Sequence, residues 1–102
     1  MNPSAFQKLD RIIHERARMG IVALLAAATE VSFTELRDSL KMTDGNVSIQ
    51  IKTLQDAGYV AVTKSFQNRR PRTTCALTAA GRKAFTQYLK ALEEIIEQSK
   101  GR

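Results

Sequence analysis

Three arginines, Arg69, Arg70 and Arg72, fall within four consecutive positions. Guanidinium groups at this density suit phosphate oxygens and the strongly negative floor of a narrow minor groove. A second set, Asn46, Ile49, Gln50 and Thr53, carries the chemistry of base edges. Asparagine and glutamine amides can pair bidentately with adenine, and an aliphatic or threonine carbon can touch a thymine methyl. Other chemistries lack their residues. The lone His14 and lone Cys75 stand far apart and cannot supply a four-ligand zinc site. Cys75 has no internal disulfide partner and reads as a small buried hydrophobe in a strand. No nucleophile motif, phosphate-cradling glycine loop or catalytic carboxylate pair is present. The expectation is a protein that is not an enzyme, with no catalytic residues, no metal site and no cofactor.

The charge follows the same division. The chain of 102 residues carries a net +6, unevenly spread. Residues 1–56 balance seven basic against seven acidic side chains. Residues 57–92 hold Lys64, Arg69, Arg70, Arg72, Arg82, Lys83 and Lys90 and no acid. One sign of charge concentrated in a folded region attracts polyanions. The 43% apolar fraction is ordinary for a globular protein, and the length favours one domain over residues 1–102. No apolar run reaches the ~18 residues of a membrane span. Met1–Asp10 lacks the basic-then-apolar order of a secretory leader, no membrane association is expected, and the single cysteine makes a reducing, cytoplasmic setting the expectation.

Periodicity and caps supply the elements that position these residues. Phe6, Leu9, Ile12 and Ile13 predict a helix over Ala5–Ile13, and Ala17, Ile21, Leu24, Leu25 and Ala28 predict a second over Glu15–Ala28. Ser32 and Glu35 form a capping box opening a short helix over Phe33–Leu40. Thr43 caps the next helix after a tight connection at Lys41 and Met42, the spacing of a helix-turn-helix across residues 32–58. Gly58 ends that helix in a left-handed cap. Residues 59–77 read as a hairpin: a strand at Val60–Phe66, a polar loop at Gln67–Arg72 stiffened by Pro71, and a strand at Thr73–Leu77. Thr78 caps a last helix to about Ser99.

At 100° per residue, Val47, Ile51 and Leu54 define the buried side of the helix after Thr43. Gly45, Ile49, Lys52, Thr53 and Asp56 lie opposite, Asn46 lies beside them, and Ser48 and Gln50 flank. Base reading is therefore assigned to Asn46, Ile49, Gln50 and Thr53. Backbone or minor-groove contact is assigned to Ser48, Lys52, Lys64, Arg69, Arg70, Arg72, Arg82 and Lys83. In the last helix Phe85, Leu89, Leu92 and Ile96 repeat at coiled-coil spacing, with Tyr88 and Ile95 widening the seam. Together with Phe6, Leu9 and Ile13 they form an expected two-fold interface between residues 1–13 and 78–99 of two copies.

The order Ser32-Phe33-Thr34-Glu35-Leu36, Thr43-Asp44-Gly45-Asn46-Val47, Leu54-x-x-x-Gly58-Tyr59-Val60, Arg70-Pro71-Arg72-Thr73 and Leu77-Thr78-x-x-Gly81 resembles small MarR-like winged helix-turn-helix transcription regulators. The resemblance implies an α+β, mostly α fold with a two-stranded wing and a long C-terminal dimerisation helix. It implies a homodimer on double-stranded DNA, its recognition helix in the major groove and its wing near the minor groove. Where larger members carry an Asp two residues before a wing Arg, this chain has Gln67-Asn68-Arg69-Arg70, without an acid. The related ArsR metal sensors lend no metal site here. The competing reading is a winged-helix module for protein or RNA without sequence-specific DNA binding.

Overall fold

Four side chains open four helices. In the computed structural model, which describes residues 3–101, the Glu15 carboxylate accepts from Arg18 N–H at 2.8 Å and begins α2 (Arg16–Ala26) after a short α1 (Pro3–Gln7). Ser32 Oγ accepts from Glu35 N–H at 3.1 Å and begins α3 (Phe33–Leu40). Thr43 Oγ1 does the same for Asn46 N–H at 3.1 Å and begins α4 (Asp44–Asp56). Thr78 Oγ1 accepts from Gly81 N–H at 3.0 Å and begins α5 (Ala79–Ser99). The strands are β1 (Val31–Ser32), β2 (Val60–Gln67) and β3 (Arg70–Leu77), in the antiparallel order β1-β3-β2. Met1, Asn2 and Arg102, the ends of the expected 1–102 domain, lie outside the described residues.

The first expected helix is a correction. Helix extends only over Pro3–Gln7, not to Ile13. Asp10 Oδ1 accepts from the Ile12 and Ile13 amides at 2.8 and 3.0 Å, and this local bonding competes with the helical ladder. Its other oxygen accepts from the Tyr59 hydroxyl, which pushes that phenol up to about 12. The turn carries Ile13 into the core, where it is fully buried with Ile21, Leu25, Leu36, Val47, Leu54 and Cys75. Tyr88 is also buried there. Ile13 and Tyr88 therefore pack within one chain and offer no surface to a second copy.

The hairpin differs from its expected form as well. β2 and β3 pair from Val60↔Leu77 out to Gln67↔Arg70, so the loop over Gln67–Arg72 shrinks to the two-residue turn Asn68-Arg69. Pro71 sits in β3 opposite Phe66 rather than in a loop. Its missing N–H is tolerated because β1 covers β3 only at Cys75 and Thr74. That two-residue β1 was not expected from sequence.

Gly58 ends α4 as read, at φ 81, with Gly58 N–H on the Gln55 carbonyl at 2.9 Å and Tyr59 N–H on the Leu54 carbonyl at 3.0 Å. The start of α5 is fastened at the same place. Thr78 Oγ1 donates to the Gly58 carbonyl at 2.6 Å, and Thr78 N–H donates to the Tyr59 carbonyl at 3.0 Å. Gly81 passes so close that a Cβ there would stand 2.2 Å from the Tyr59 oxygen.

Candidate nucleic-acid interface

α4 buries Val47, Ile51 and Leu54 and turns the opposite side to solvent. Asn46, Ser48, Ile49 and Lys52 are exposed, Gln50 and Thr53 half-buried. Ile49 is the informative member, with 64% of its surface open in the middle of a polar face. The Thr53 hydroxyl donates to the Ile49 carbonyl at 3.1 Å, which leaves its methyl and oxygen lone pairs for other contacts. α3 is braced against α4 by Arg37, whose Nη1 donates to Asp44 Oδ1 and whose Nε donates to Asp38 Oδ1, both at 2.9 Å. Those bonds, that to Asp38 first, raise the guanidinium pKa further. They also offset the negative charge of Asp44 at the front of α4.

The amides of α4 are not independent. Gln50 Nε2 donates to Asn46 Oδ1 at 3.1 Å, and Gln50 Oε1 accepts from Arg18 Nη1 at 2.8 Å. Arg18, on α2, was missed by sequence reasoning. No local signal marks it, because the contact joins residues 32 positions apart. Lys52 Nζ lies 2.9 and 3.1 Å from the two oxygens of Asp56. Both side chains are largely exposed, so the pair is weak and a phosphate can compete for the lysine.

The β2–β3 hairpin, which forms the wing, carries exposed cations. Arg69 occupies the turn at φ 65, after Asn68 at φ 53. Two consecutive left-handed residues make a type I′ turn, which favours Asn-Gly. An arginine at the second position is strained, and strain of this kind collects at functional sites. Arg69, Arg70 and Lys64 are exposed, and among the described residues no carboxylate stands within ion-pairing distance of them. Lys64 lines a cleft between hairpin and α4 together with Ser48 and Lys52. Phe66, 78% exposed and on the same side of β2 as Lys64, is a second residue that sequence reasoning missed.

Other assigned residues are placed elsewhere. Arg72 lies within β3, not at a loop tip. Its Nη1 donates to Gln67 Oε1 at 3.0 Å and its Nη2 stands 3.8 Å from Glu35 Oε1, so it ties the wing to α3. Arg82 and Lys83 sit at the base of the hairpin, which at 3.4 Å per residue is about 25 Å from the turn. Arg82 Nη1 donates to the Ala26 carbonyl at 3.2 Å, which satisfies the negative end of α2. The apolar set divides too. Phe6, Leu89 and Ile96 are 62%, 42% and 55% exposed, whereas Leu9, Phe85 and Leu92 are half-buried against the core and Ile95 is half-buried.

Burial pushes the Cys75 thiol up to about 11, which keeps it protonated and unreactive near neutrality. Among the described residues no cluster of His, Cys, Asp and Glu could hold a metal, and no helix is long and apolar enough to cross a membrane.

Comparison with known proteins agrees with this geometry. A family model described as a winged helix DNA-binding domain matches residues 17–96. An uncharacterized protein of Methanocaldococcus jannaschii is 34% identical over 90 residues, covering 88% of this chain and 95% of that protein. The solved structure of a transcriptional regulator homologue from Pyrococcus horikoshii matches with TM-score 0.86 at 25% identity, over 92% of this chain and 95% of its own. The Staphylococcus aureus MepR–DNA complex matches with TM-score 0.76 over 94% of this chain and 78% of its own. At 19% identity that second likeness is one of fold.

Proposed function

Because the chain belongs to the winged helix DNA-binding domain family, whose regulators are not enzymes, we propose that it is a sequence-specific transcriptional regulator that binds double-stranded DNA as a homodimer. α4 enters the major groove with Asn46, Ile49, Gln50 and Thr53 toward the bases. The wing lies along the backbone toward the minor groove, with Ser48, Lys52, Lys64, Arg69 and Arg70 on phosphates or in the groove. Arg72 steadies the wing, and Arg82 and Lys83 stand back from the contact.

The observation that carries this reading is the disposition of charge. The acids of α4 are paired within the free chain, Asp44 with Arg37 and Asp56 with Lys52, the second pair exposed enough for a phosphate to take the lysine. The wing cations Lys64, Arg69 and Arg70 have no such partner among the described residues. A polyanion approaching this side meets uncompensated positive charge at the wing and a nearly neutral, hydrogen-bonding helix between. The exposed Phe6, Leu89 and Ile96 support the dimer, since a second copy would remove them from water.

The test is selection from a random duplex pool, followed by binding measurements at several salt concentrations. A selected duplex should bind at least about 1,000-fold tighter than random DNA. Arg70→Ala should lower the salt slope by about two, one phosphate per protomer, on both DNAs. Asn46→Ala should leave the slope unchanged and cost about 1–3 kcal/mol of discrimination. Equal affinity for every duplex, or none for any, overturns the reading in favour of a protein- or RNA-interaction module.

A further inference from the structure

Arg18 is held from three sides. Its Nε donates to the Ile12 carbonyl at 2.6 Å, its Nη1 donates to Gln50 Oε1 at 2.8 Å, and Nη1 stands 3.9 Å from Glu15 Oε1. The side chain is only 19% exposed. A guanidinium offers donors and no acceptor, so the Gln50 atom against it must be the carbonyl oxygen. The Gln50 amide then has one orientation, with Nε2 away from Arg18. Nε2 donates to Asn46 Oδ1 at 3.1 Å. A donor there requires an oxygen on Asn46, and the Asn46 amide is oriented in turn, with the two hydrogens of Nδ2 directed away from Gln50.

We propose that Arg18 sets the polarity of the Gln50–Asn46 pair, so that the front of α4 presents hydrogen-bond donors and reads guanine. The inference rests on the DNA-binding reading above. In the major groove guanine shows two acceptors, N7 and O6, whereas adenine shows an acceptor and a donor, cytosine a donor, and thymine an acceptor beside a methyl. Both Nδ2 hydrogens and the remaining Nε2 hydrogen are donors, which suits the two acceptors of guanine. A bidentate contact to adenine needs an amide oxygen as well as an NH2, and here each amide oxygen already has one of its two lone pairs engaged by a donor of the same chain, toward which it is turned. The adenine pairing open to unconstrained amides is thus disfavoured. Arg18 itself does not reach the base: it is a positioning residue acting through Gln50.

The experiment compares wild type, Arg18→Met and Gln50→Glu by selection from a random duplex pool. Competition binding follows on duplexes carrying each base pair at the position that Asn46→Ala relaxes. Wild type should select guanine there. Arg18→Met releases the Gln50 amide, and the preference for guanine over adenine should fall by about tenfold, with affinity for random duplex unchanged. Gln50→Glu covers the case in which Arg18→Met folds poorly. It keeps a partner for Arg18 but turns an acceptor toward Asn46. The Asn46 amide must then reverse, and selection should move from guanine to a base bearing a donor, adenine or cytosine. A bracing role for Arg18 alone gives no such inversion. If Gln50→Glu still selects guanine, or wild type selects no guanine at that position, the proposal is overturned while DNA binding stands. If wild type binds no duplex, the DNA-binding reading fails and this one with it.

Discussion

Arg69 spends conformational energy that a glycine would not. Its φ of 65 lies where a side chain costs about 1–2 kcal/mol, in a turn whose second residue is most easily Gly. Under the proposed DNA-binding function, this cost would be offset by the contact that the guanidinium makes from the turn. Arg69→Gly should therefore raise unfolding stability by about 1 kcal/mol in urea titration while weakening DNA binding and lowering its salt slope. A glycine variant that binds DNA as tightly as wild type would remove that reason for the strain. Much of the site was legible at this scale. The exposure of Asn46, Ile49 and Lys52 follows from helical geometry and three buried neighbours one turn apart. What helical geometry cannot show is which amides are already engaged. The bond from Arg18 to Gln50 and that from Arg72 to Gln67 depend on tertiary and cross-strand neighbours, and they change two residues from free contacts into parts of a brace.

Elements fixed by local chemistry were the readable ones. Ser32, Thr43 and Thr78 each bond an amide three residues on, and the turn at Gly58 closes a helix through bonds back to Gln55 and Leu54. α1 failed because a single carboxylate, Asp10, outbid the helical pattern of Phe6, Leu9, Ile12 and Ile13. β1 failed because two residues have no period to read; they become a strand only when β3 lies beside them. The motif Thr78-x-x-Gly81 acquires its physical meaning only in the fold, where α5 crosses the Tyr59 carbonyl with no space for a methyl group. Alanine ordinarily stabilises a helix interior by up to about 1 kcal/mol over glycine. Here the contact of 2.2 Å is with backbone that cannot turn aside, so the clash prevails. Gly81→Ala should destabilise by about 1–3 kcal/mol in thermal or urea unfolding. A variant more stable than wild type would show that α5 can slide off this joint.

For the whole molecule the question is what covers the outer side of α5. Leu89 and Ile96 are exposed on a helix of 21 residues, and Phe6 stands exposed on α1, which packs beside it. Analytical ultracentrifugation at micromolar concentration should give about twice the 11.4 kDa of one chain. Leu89→Glu with Ile96→Glu should give the monomer mass with helical content retained, and should weaken binding to a two-half-site duplex more than to a single half-site. A wild-type monomer would overturn the dimer. α5 is also a rod about 31 Å long, pinned at one end through Thr78 to Gly58 in the turn that closes α4. In an assembly clasped along such rods, one degree of rotation at that pin moves the far end by about 0.5 Å. In the proposed dimer two copies would act as calipers, and the gap between their tips, which would have to match half-sites about 34 Å apart, would be set at a pivot built from one threonine, one glycine and the Tyr59 carbonyl between them.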